Sequence, residues 1–265
     1  MKKIILLVLA ISMFSCKNKT TLTVDYSEEN LDITTSIYPE NITKVFDAHG
    51  GLDNWNTMRF LEFTMPKKGG NEVTTTDLRN RKSLIEMPKH TIGFDGENVW
   101  LKNKGEEAYK KYGGNPRFYY NLMFYFYAMP FILADDGIIY KNAEPLVFEG
   151  VTYPGINISY ENGIGESSED EYVLYYNPET YKMEWLGYTV TFFSKEKGKE
   201  LHFRRYNNWQ EVNGLLLPET IVSYNYENNK PTTAKGETQF INIKVSKEKP
   251  KSEFFEAPAG ASIVD

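Results

Sequence analysis

Few residues in this sequence could carry out catalysis or hold a metal ion. The three histidines, His49, His90 and His202, are far apart, and none has a partner at the spacing of a metal-binding motif. The single cysteine is Cys16. The chain also lacks the G-x-S-x-G motif of serine hydrolases. We therefore predict no catalytic residue, no metal site and no cofactor, and we expect that the protein is not an enzyme.

Two short patterns have both a functional and a structural interpretation. The acidic residues Glu166, Glu169, Asp170 and Glu171 could supply oxygen ligands to a hard cation such as Ca²⁺. A solvated hairpin loop explains the same composition, and we favour it. The tripeptide 49–51 (His-Gly-Gly) is best explained as the end of a helix followed by a turn, because glycine adopts left-handed backbone conformations without strain.

The segment 117–136, RFYYNLMFYFYAMPFILADD, has no charged side chain between Arg117 and Asp135. Such a dense aromatic run could fill a protein core, or it could line an apolar cavity that holds a ligand. On the second interpretation, each methylene buried from a lipid contributes about 0.8 kcal/mol. The candidate ligand-binding residues are Phe118, Tyr119, Leu122, Met123, Phe126, Met129, Phe131 and, outside the segment, Trp100.

The same segment is compatible with a helix or with a strand. The pair 115–116 (Asn-Pro) is a favourable helix start, with an amide at the cap and proline in the first turn. Alternation of Phe118, Tyr120, Leu122 and Phe124 would also suit a strand. We favour a buried helix that ends before Pro130, too short to span a membrane.

The remainder of the chain is dominated by apolar residues in alternation. Residues Leu61, Phe63 and Met65 share one face of a predicted strand, and the same period recurs between turn signals such as 95–96 (Asp-Gly) and 213–214 (Asn-Gly). We predict about ten or eleven antiparallel strands with one or two further helices, the first near 39–49. The fold class is therefore mainly β, a curved sheet or open barrel.

The N-terminus resembles the signal peptide of a bacterial lipoprotein. Two lysines, Lys2 and Lys3, precede an apolar run that ends just before Cys16. We predict a signal peptide over 1–16, an acylated Cys16 as membrane anchor, a flexible tether over 17–35 and a single domain over 36–265. The formal net charge of −6, without a basic cluster, argues against a nucleic-acid partner.

Three further motifs resemble the LolA/LolB-like superfamily of periplasmic carriers that sort outer-membrane lipoproteins. They are 48–55 (AHGGLDNW), 209–218 (WQEVNGLLLP) and 254–265 (FFEAPAGASIVD), and the segments 128–135 and 163–183 are similar to an uncharacterised group of bacterial lipoproteins within it. The resemblance implies an unclosed antiparallel β half-barrel with helices covering an apolar concave face. These motifs are structural, so they say more about fold than about function.

Together these features predict an outer-membrane lipoprotein whose domain faces the periplasm and binds a lipid or acylated ligand without catalysis. A structural or interaction lipoprotein with a filled core is the alternative. A hydrolase is the least favoured interpretation.

Overall fold

A computed structural model describes residues 37–105, 112–160, 170–192 and 200–264. Within these ranges the helices are α1 Glu40–Ala48, α2 Leu52–Thr57 and α3 Pro116–Tyr127, with 3₁₀ turns at Phe131–Ala134 and Ser252–Phe255. The strands are β1 Phe60–Met65, β2 Glu72–Asp77, β3 Ser83–Glu86, β4 His90–Phe94, β5 Val99–Asn103, β6 Ile138–Phe148, β7 Val151–Tyr160, β8 Tyr172–Tyr176, β9 Met183–Tyr188, β10 His202–Val212, β11 Leu215–Glu227, β12 Lys230–Gln239, β13 Ile241–Ser246 and β14 Ser262–Val264.

The strands form two antiparallel sheets. The first sheet has the order β13-β1-β2-β3-β4-β5-β14, so that strands from the C-terminal region cover both edges of the N-terminal meander. The second sheet, β12-β11-β10-β9-β8-β7-β6, is a meander in sequence order. Only Phe240 separates β12 from β13, and the chain passes there from the second sheet to the first. On the other side, β6 pairs with no strand of the first sheet among the described residues, so the arrangement is unclosed there.

The main core lies between the inner faces of the two sheets. It includes Leu61, Phe63 and Met65 of β1, which are fully buried as their alternation predicted. Helix α1 contributes Ile42, Val45 and Phe46. Trp55 of α2 stacks on Phe131 with ring centroids 4.7 Å apart.

Two of the motifs quoted above contact each other. The His49 ring lies 4.4 Å from that of Trp209, and the His49 carbonyl accepts a hydrogen bond from the Leu216 amide. The Asn54 side chain donates to the Asn213 carbonyl. Residues 48–55 therefore join the helices to the turn between β10 and β11, which explains these motifs as structural contacts.

The outer faces of the sheets carry smaller clusters. On the first sheet Trp100 packs with Leu84 and Phe255, and its indole N–H donates to the Phe255 carbonyl at 2.9 Å. On the second sheet Trp185 lies in a cluster with Phe203 and Tyr175. The third motif, 254–265, thus covers Trp100 and then supplies β14.

The predicted fold class, mainly β, antiparallel and unclosed with few helices, is confirmed. Helix α3 is confirmed as a helix, and it ends before Pro130. The predicted number of strands, about ten or eleven, was lower than the number in the described residues. Strands β12 and β14 and the first half of β6 carry too few alternating apolar residues to be recognised from the sequence.

Residues 1–36 lie outside the described ranges, so the predicted signal peptide, the Cys16 anchor and the tether stay predictions. Residues from Tyr38 onward belong to one compact unit. Among the described residues, no helix is both long enough and apolar enough to cross a membrane.

Candidate functional site

Helix α3 begins as its sequence predicted. The Asn115 side chain accepts a hydrogen bond from the Phe118 amide at 3.1 Å, and Pro116 occupies the first turn. The helix packs against β3, β4 and β5 of the first sheet, where Tyr120 meets Ile85, Ile92 and Val99. It therefore lies between the sheets, next to the strands at the unclosed side.

The end of the aromatic segment is held by hydrogen bonds from three tyrosines. Tyr206 donates to the Phe126 carbonyl at 2.9 Å, and Tyr38 donates to the Ala134 carbonyl at 3.0 Å. Tyr140 donates to the Leu133 carbonyl. These bonds satisfy carbonyls that the helix end and the following turn leave without a helical partner.

Four of the candidate ligand-binding residues are part of the packed core. Met123, Phe126, Met129 and Phe131 are between 0% and 7% exposed. The Phe126 ring lies 5.0 Å from Tyr188, and the Arg204 guanidinium carbon lies 4.0 Å from the Phe126 ring centroid. These side chains fill the space between the sheets.

Three other candidates, Phe118, Tyr119 and Leu122, are only half-buried, and Tyr125 accompanies them. Their spacing places them on one side of α3, and we call these four residues the open face of α3. The Phe118 ring lies 4.9 Å from Phe192, which follows β9. Trp100 is not brought together with this group, because it lies on the outer face of the first sheet.

A group of half-buried tyrosines follows the inner face of the second sheet, and we call Tyr140, Tyr160, Tyr172 and Tyr188 the tyrosine cluster. The rings of Tyr160 and Tyr172 are 6.1 Å apart. Burial raises the pKa of both, and the nearby Tyr125 of α3 raises the two pKa values further. The hydroxyls are therefore uncharged near neutral pH. They can donate and accept hydrogen bonds, while their rings offer apolar surface.

These tyrosines were not singled out from the sequence. The signal was present in part, because Tyr160 continues the alternation of Ile156 and Ile158 on the inward face of β7. Which sheet face turns towards α3 is a property of the tertiary structure alone.

The charged residues near α3 make local structural contacts. The Tyr119 hydroxyl donates to the buried carboxylate of Glu72 at 2.7 Å, and burial raises the pKa of Glu72. Asp170, from the acidic run, is buried and accepts a hydrogen bond from the Thr191 amide at 2.7 Å. Glu166 and Glu169 lie outside the described residues. The described part of the chain contains no group of three His, Cys, Asp or Glu side chains placed to hold a metal ion.

His49 has a structural position, as its sequence context indicated. It is fully buried, its Nδ1 lies 2.7 Å from the Val45 carbonyl, and its Nε2 accepts from the Met183 amide at 3.4 Å.

Residues 102–241, more than half of the sequence, match a family of unknown function, DUF6503. The chain belongs to this family. The matched range contains α3 and most of the second sheet, and the expectation of an uncharacterised family is confirmed. No curated protein matches the sequence.

Several solved structures are similar to this one. A DUF1329 family protein from Desulfovibrio piger has 10% identity and a TM-score of 0.47, over 82% of this chain and 98% of the other. A LolA superfamily protein from Nitrosomonas europaea has 10% identity and a TM-score of 0.43, over 75% and 88%. A putative outer membrane lipoprotein-sorting protein domain from Vibrio parahaemolyticus has 7% identity and a TM-score of 0.40, over 74% and 88%. At these identities and TM-scores, the similarities say nothing of what this chain binds.

Proposed function

We propose that this protein is a non-enzymatic outer-membrane lipoprotein that binds a lipid or acyl chain along the open face of α3, with its domain in the periplasm. The observation that carries the proposal is that Phe118, Tyr119, Leu122 and Tyr125 are only partly buried and lie on a helix at the unclosed side of the two sheets. These side chains are apolar or amphipathic, and the tyrosine cluster lies on the neighbouring inner face.

The chemistry of these residues suits an acyl chain. Ring faces and aliphatic side chains would cover the methylenes, each worth about 0.8 kcal/mol when fully buried. Ten methylenes would supply about 8 kcal/mol, which corresponds to micromolar affinity before the cost of ordering the chain is subtracted. The uncharged tyrosine hydroxyls would hydrogen-bond the polar end of the ligand.

The eight predicted site residues have different roles in this proposal. Phe118, Tyr119 and Leu122 would contact the ligand directly. The buried side chains of Met123, Phe126, Met129 and Phe131 would form the fixed support beneath it. Trp100 lies on the other face of the first sheet and has no part in this proposal. Cys16, acylated, would hold the domain at the membrane.

Ligand binding can be tested on the full chain carrying Cys16→Ser. Organic extraction followed by mass spectrometry should recover an acyl-containing lipid, and a fluorescent fatty acid should bind saturably. Leu122→Glu should weaken that binding at least tenfold, because it places a charge on the open face. Val147→Glu, at a 59% exposed position on β6, is the matched control and should bind normally. Failure to recover a lipid together with no saturable binding would refute the proposal.

A second candidate function is that of an interaction lipoprotein with a filled core. The burial of Met123, Phe126, Met129 and Phe131 supports it, because these side chains occupy space that a carrier would leave for its ligand. The comparison of Leu122→Glu with Val147→Glu separates the two functions. In a filled-core protein, the two substitutions should have the same effect on fatty-acid binding.

A further inference from the structure

A cavity of about 360 Å³ lies where the β2–β3 turn meets α2 and the end of the aromatic segment. Trp55 and Phe131 form part of its wall, and their stacked rings are buried. Two arginines, Arg79 and Arg81, and two acids line the same space. The volume is within the range of small-molecule sites, and the accessible lining is mostly polar.

Arg81 and Asp135 already form an ion pair in this cavity. Arg81 Nη2 lies 2.7 Å from Asp135 Oδ1, and the Arg81 guanidinium also covers the Phe124 ring at 5.0 Å. Arg81 and Asp135 therefore neutralise each other and rigidify the wall. This pair leaves Arg79 and Asp136 as the charges available to a ligand.

Arg79 and Asp136 are both exposed, and they do not pair with each other. Arg79 Nη2 donates to the Asn56 carbonyl, which holds the guanidinium while leaving its other N–H groups available. Among the described residues, the Asp136 carboxylate has no hydrogen bond or ion pair. One cavity thus presents a positive and a negative group that remain apart.

We propose that this cavity binds a small zwitterion, with its anionic group on Arg79 and its ammonium on Asp136. A simple anion would be attracted by Arg79 but repelled by Asp136, and a simple cation would be attracted by Asp136 but repelled by Arg79. The cavity therefore favours a ligand that carries both charges. The headgroup of a phosphoethanolamine lipid and a free amino acid share this chemistry. The site does not depend on acyl binding at the open face of α3.

The test is calorimetric titration of the full chain with four soluble probes. Glycerophosphoethanolamine and alanine carry both signs of charge, whereas glycerol phosphate carries only negative charge and ethanolamine only positive charge. At least one zwitterion should bind about tenfold more tightly than either of the two probes with one sign of charge, and added salt should weaken the binding. Tighter binding of glycerophosphoethanolamine assigns a lipid headgroup, and tighter binding of alanine assigns an amino acid; both support the site.

Variants locate the binding. Arg79→Gln and Asp136→Asn should each lower the affinity for the zwitterion about fivefold, as expected for the loss of one exposed charge contact. Lys230→Gln and Glu237→Gln, at exposed positions on β12, are the matched controls and should change nothing. The proposal would be overturned if glycerol phosphate bound as tightly as the zwitterions, or if no probe bound saturably at 10 mM (about the weakest useful affinity). It would also be overturned if the control variants weakened binding as much as Arg79→Gln and Asp136→Asn. Fatty-acid binding should be unchanged in Arg79→Gln and Asp136→Asn, because the cavity and the open face of α3 are separate sites.

Discussion

Phe126 lies at the point where α3 meets the second sheet. Its side chain is 4% exposed, packs edge-on against Tyr188 and is covered by Arg204. Phe126→Ala should lower the free energy of unfolding by about 3–5 kcal/mol, because truncating a buried ring loses transfer energy and leaves a cavity. Urea denaturation at constant pH measures this loss.

Phe118 provides the comparison for Phe126. It is half-buried on the open face of α3, so Phe118→Ala should cost less than about 1 kcal/mol of stability while weakening fatty-acid binding. The opposite pattern, in which Phe126→Ala abolishes fatty-acid binding and leaves stability unchanged, would mean that the aromatic segment moves as a lid. The hydrogen bonds from Tyr206, Tyr38 and Tyr140 favour a fixed plug.

His49 is a buried neutral histidine whose hydrogen bonds fix its tautomer. The proton on Nδ1 is donated to the Val45 carbonyl, and Nε2 accepts from the Met183 amide. Burial lowers the pKa of His49 from 6.5 to about 4. Protonation of Nε2 would therefore break the contact between the end of α1 and the second sheet.

The stability of the protein should depend on pH through His49. The unfolded histidine titrates near 6.5 and the folded one near 4, so between these values the unfolded state binds more protons. His49 contributes about 3 kcal/mol that is present above pH 6.5 and lost as pH falls towards 4. Urea denaturation between pH 4 and 7 should show the free energy of unfolding decreasing as pH falls. This dependence on pH should be smaller in His49→Gln and retained in His90→Gln. Equal dependence on pH in the two variants would contradict the assignment to His49.

At the scale of elements, the turn between α1 and α2 is matched to the turn between β10 and β11. Gly50 has a φ of 104°, and a side-chain carbon there would lie 2.1 Å from the Gly214 carbonyl oxygen. Gly51 has a φ of 80°, and a side-chain carbon there would meet only Asp47 Oδ1, at an ordinary contact distance of 4.0 Å. Backbone strain therefore applies at both glycines, and the close approach applies at Gly50 alone.

Gly50→Ala should destabilise the protein more than Gly51→Ala. Left-handed strain costs about 1–2 kcal/mol at either position. The clash with Gly214 should add about 1–3 kcal/mol in Gly50→Ala. Thermal denaturation of the two variants measures the difference. Equal melting temperatures would show that the two turns separate easily and do not lock together.

At the same scale, the sequence predicted elements with strong local signals better than elements without them. The turn at Asn213 and Gly214 has positive φ at both residues, as Asn-Gly favours. Within a sheet, proline is tolerated mainly on an edge strand or at a bulge, and Pro218 illustrates the second case. It lies in the interior strand β11, beside a register shift against β10 and before the part of β11 that pairs with β12. Strand β12 was missed because its side chains are mostly exposed and polar, so its place in the sheet depends mainly on backbone pairing with β11.

For the whole molecule, Phe240 joins the two sheets. It lies between β12 of the second sheet and β13 of the first, it is 1% exposed, and its ring contacts Phe63 and Tyr127 at 5.5 and 4.6 Å. The two sheets therefore share one hydrophobic core at this point.

Phe240→Ala should destabilise both sheets together, by about 3–5 kcal/mol. Hydrogen exchange followed by mass spectrometry should show lower protection in β1–β2 and in β10–β11 to the same extent, because a shared core unfolds as one unit. Tyr226→Ala, at a partly exposed site in the outer cluster of the second sheet, is the control and should have a smaller effect. Loss of protection in one sheet alone would show that the sheets are energetically independent.

Local sequence was sufficient to predict the period of the elements, the start and end of α3 and the burial of most of residues 117–136. These properties depend on neighbouring residues, through the backbone geometry of helix and strand and through the low solubility of apolar side chains in water. The three-dimensional fold was needed to show that β13 and β14 cover both edges of the first sheet and that residues 48–55 contact 209–216. It was also needed to place Phe118, Tyr119, Leu122 and Tyr125 at the unclosed side. Backbone hydrogen bonds are the same for any two strands, so they do not select the partner of a strand. The choice of partner is made by side chains far apart in sequence, which must fit together in one core.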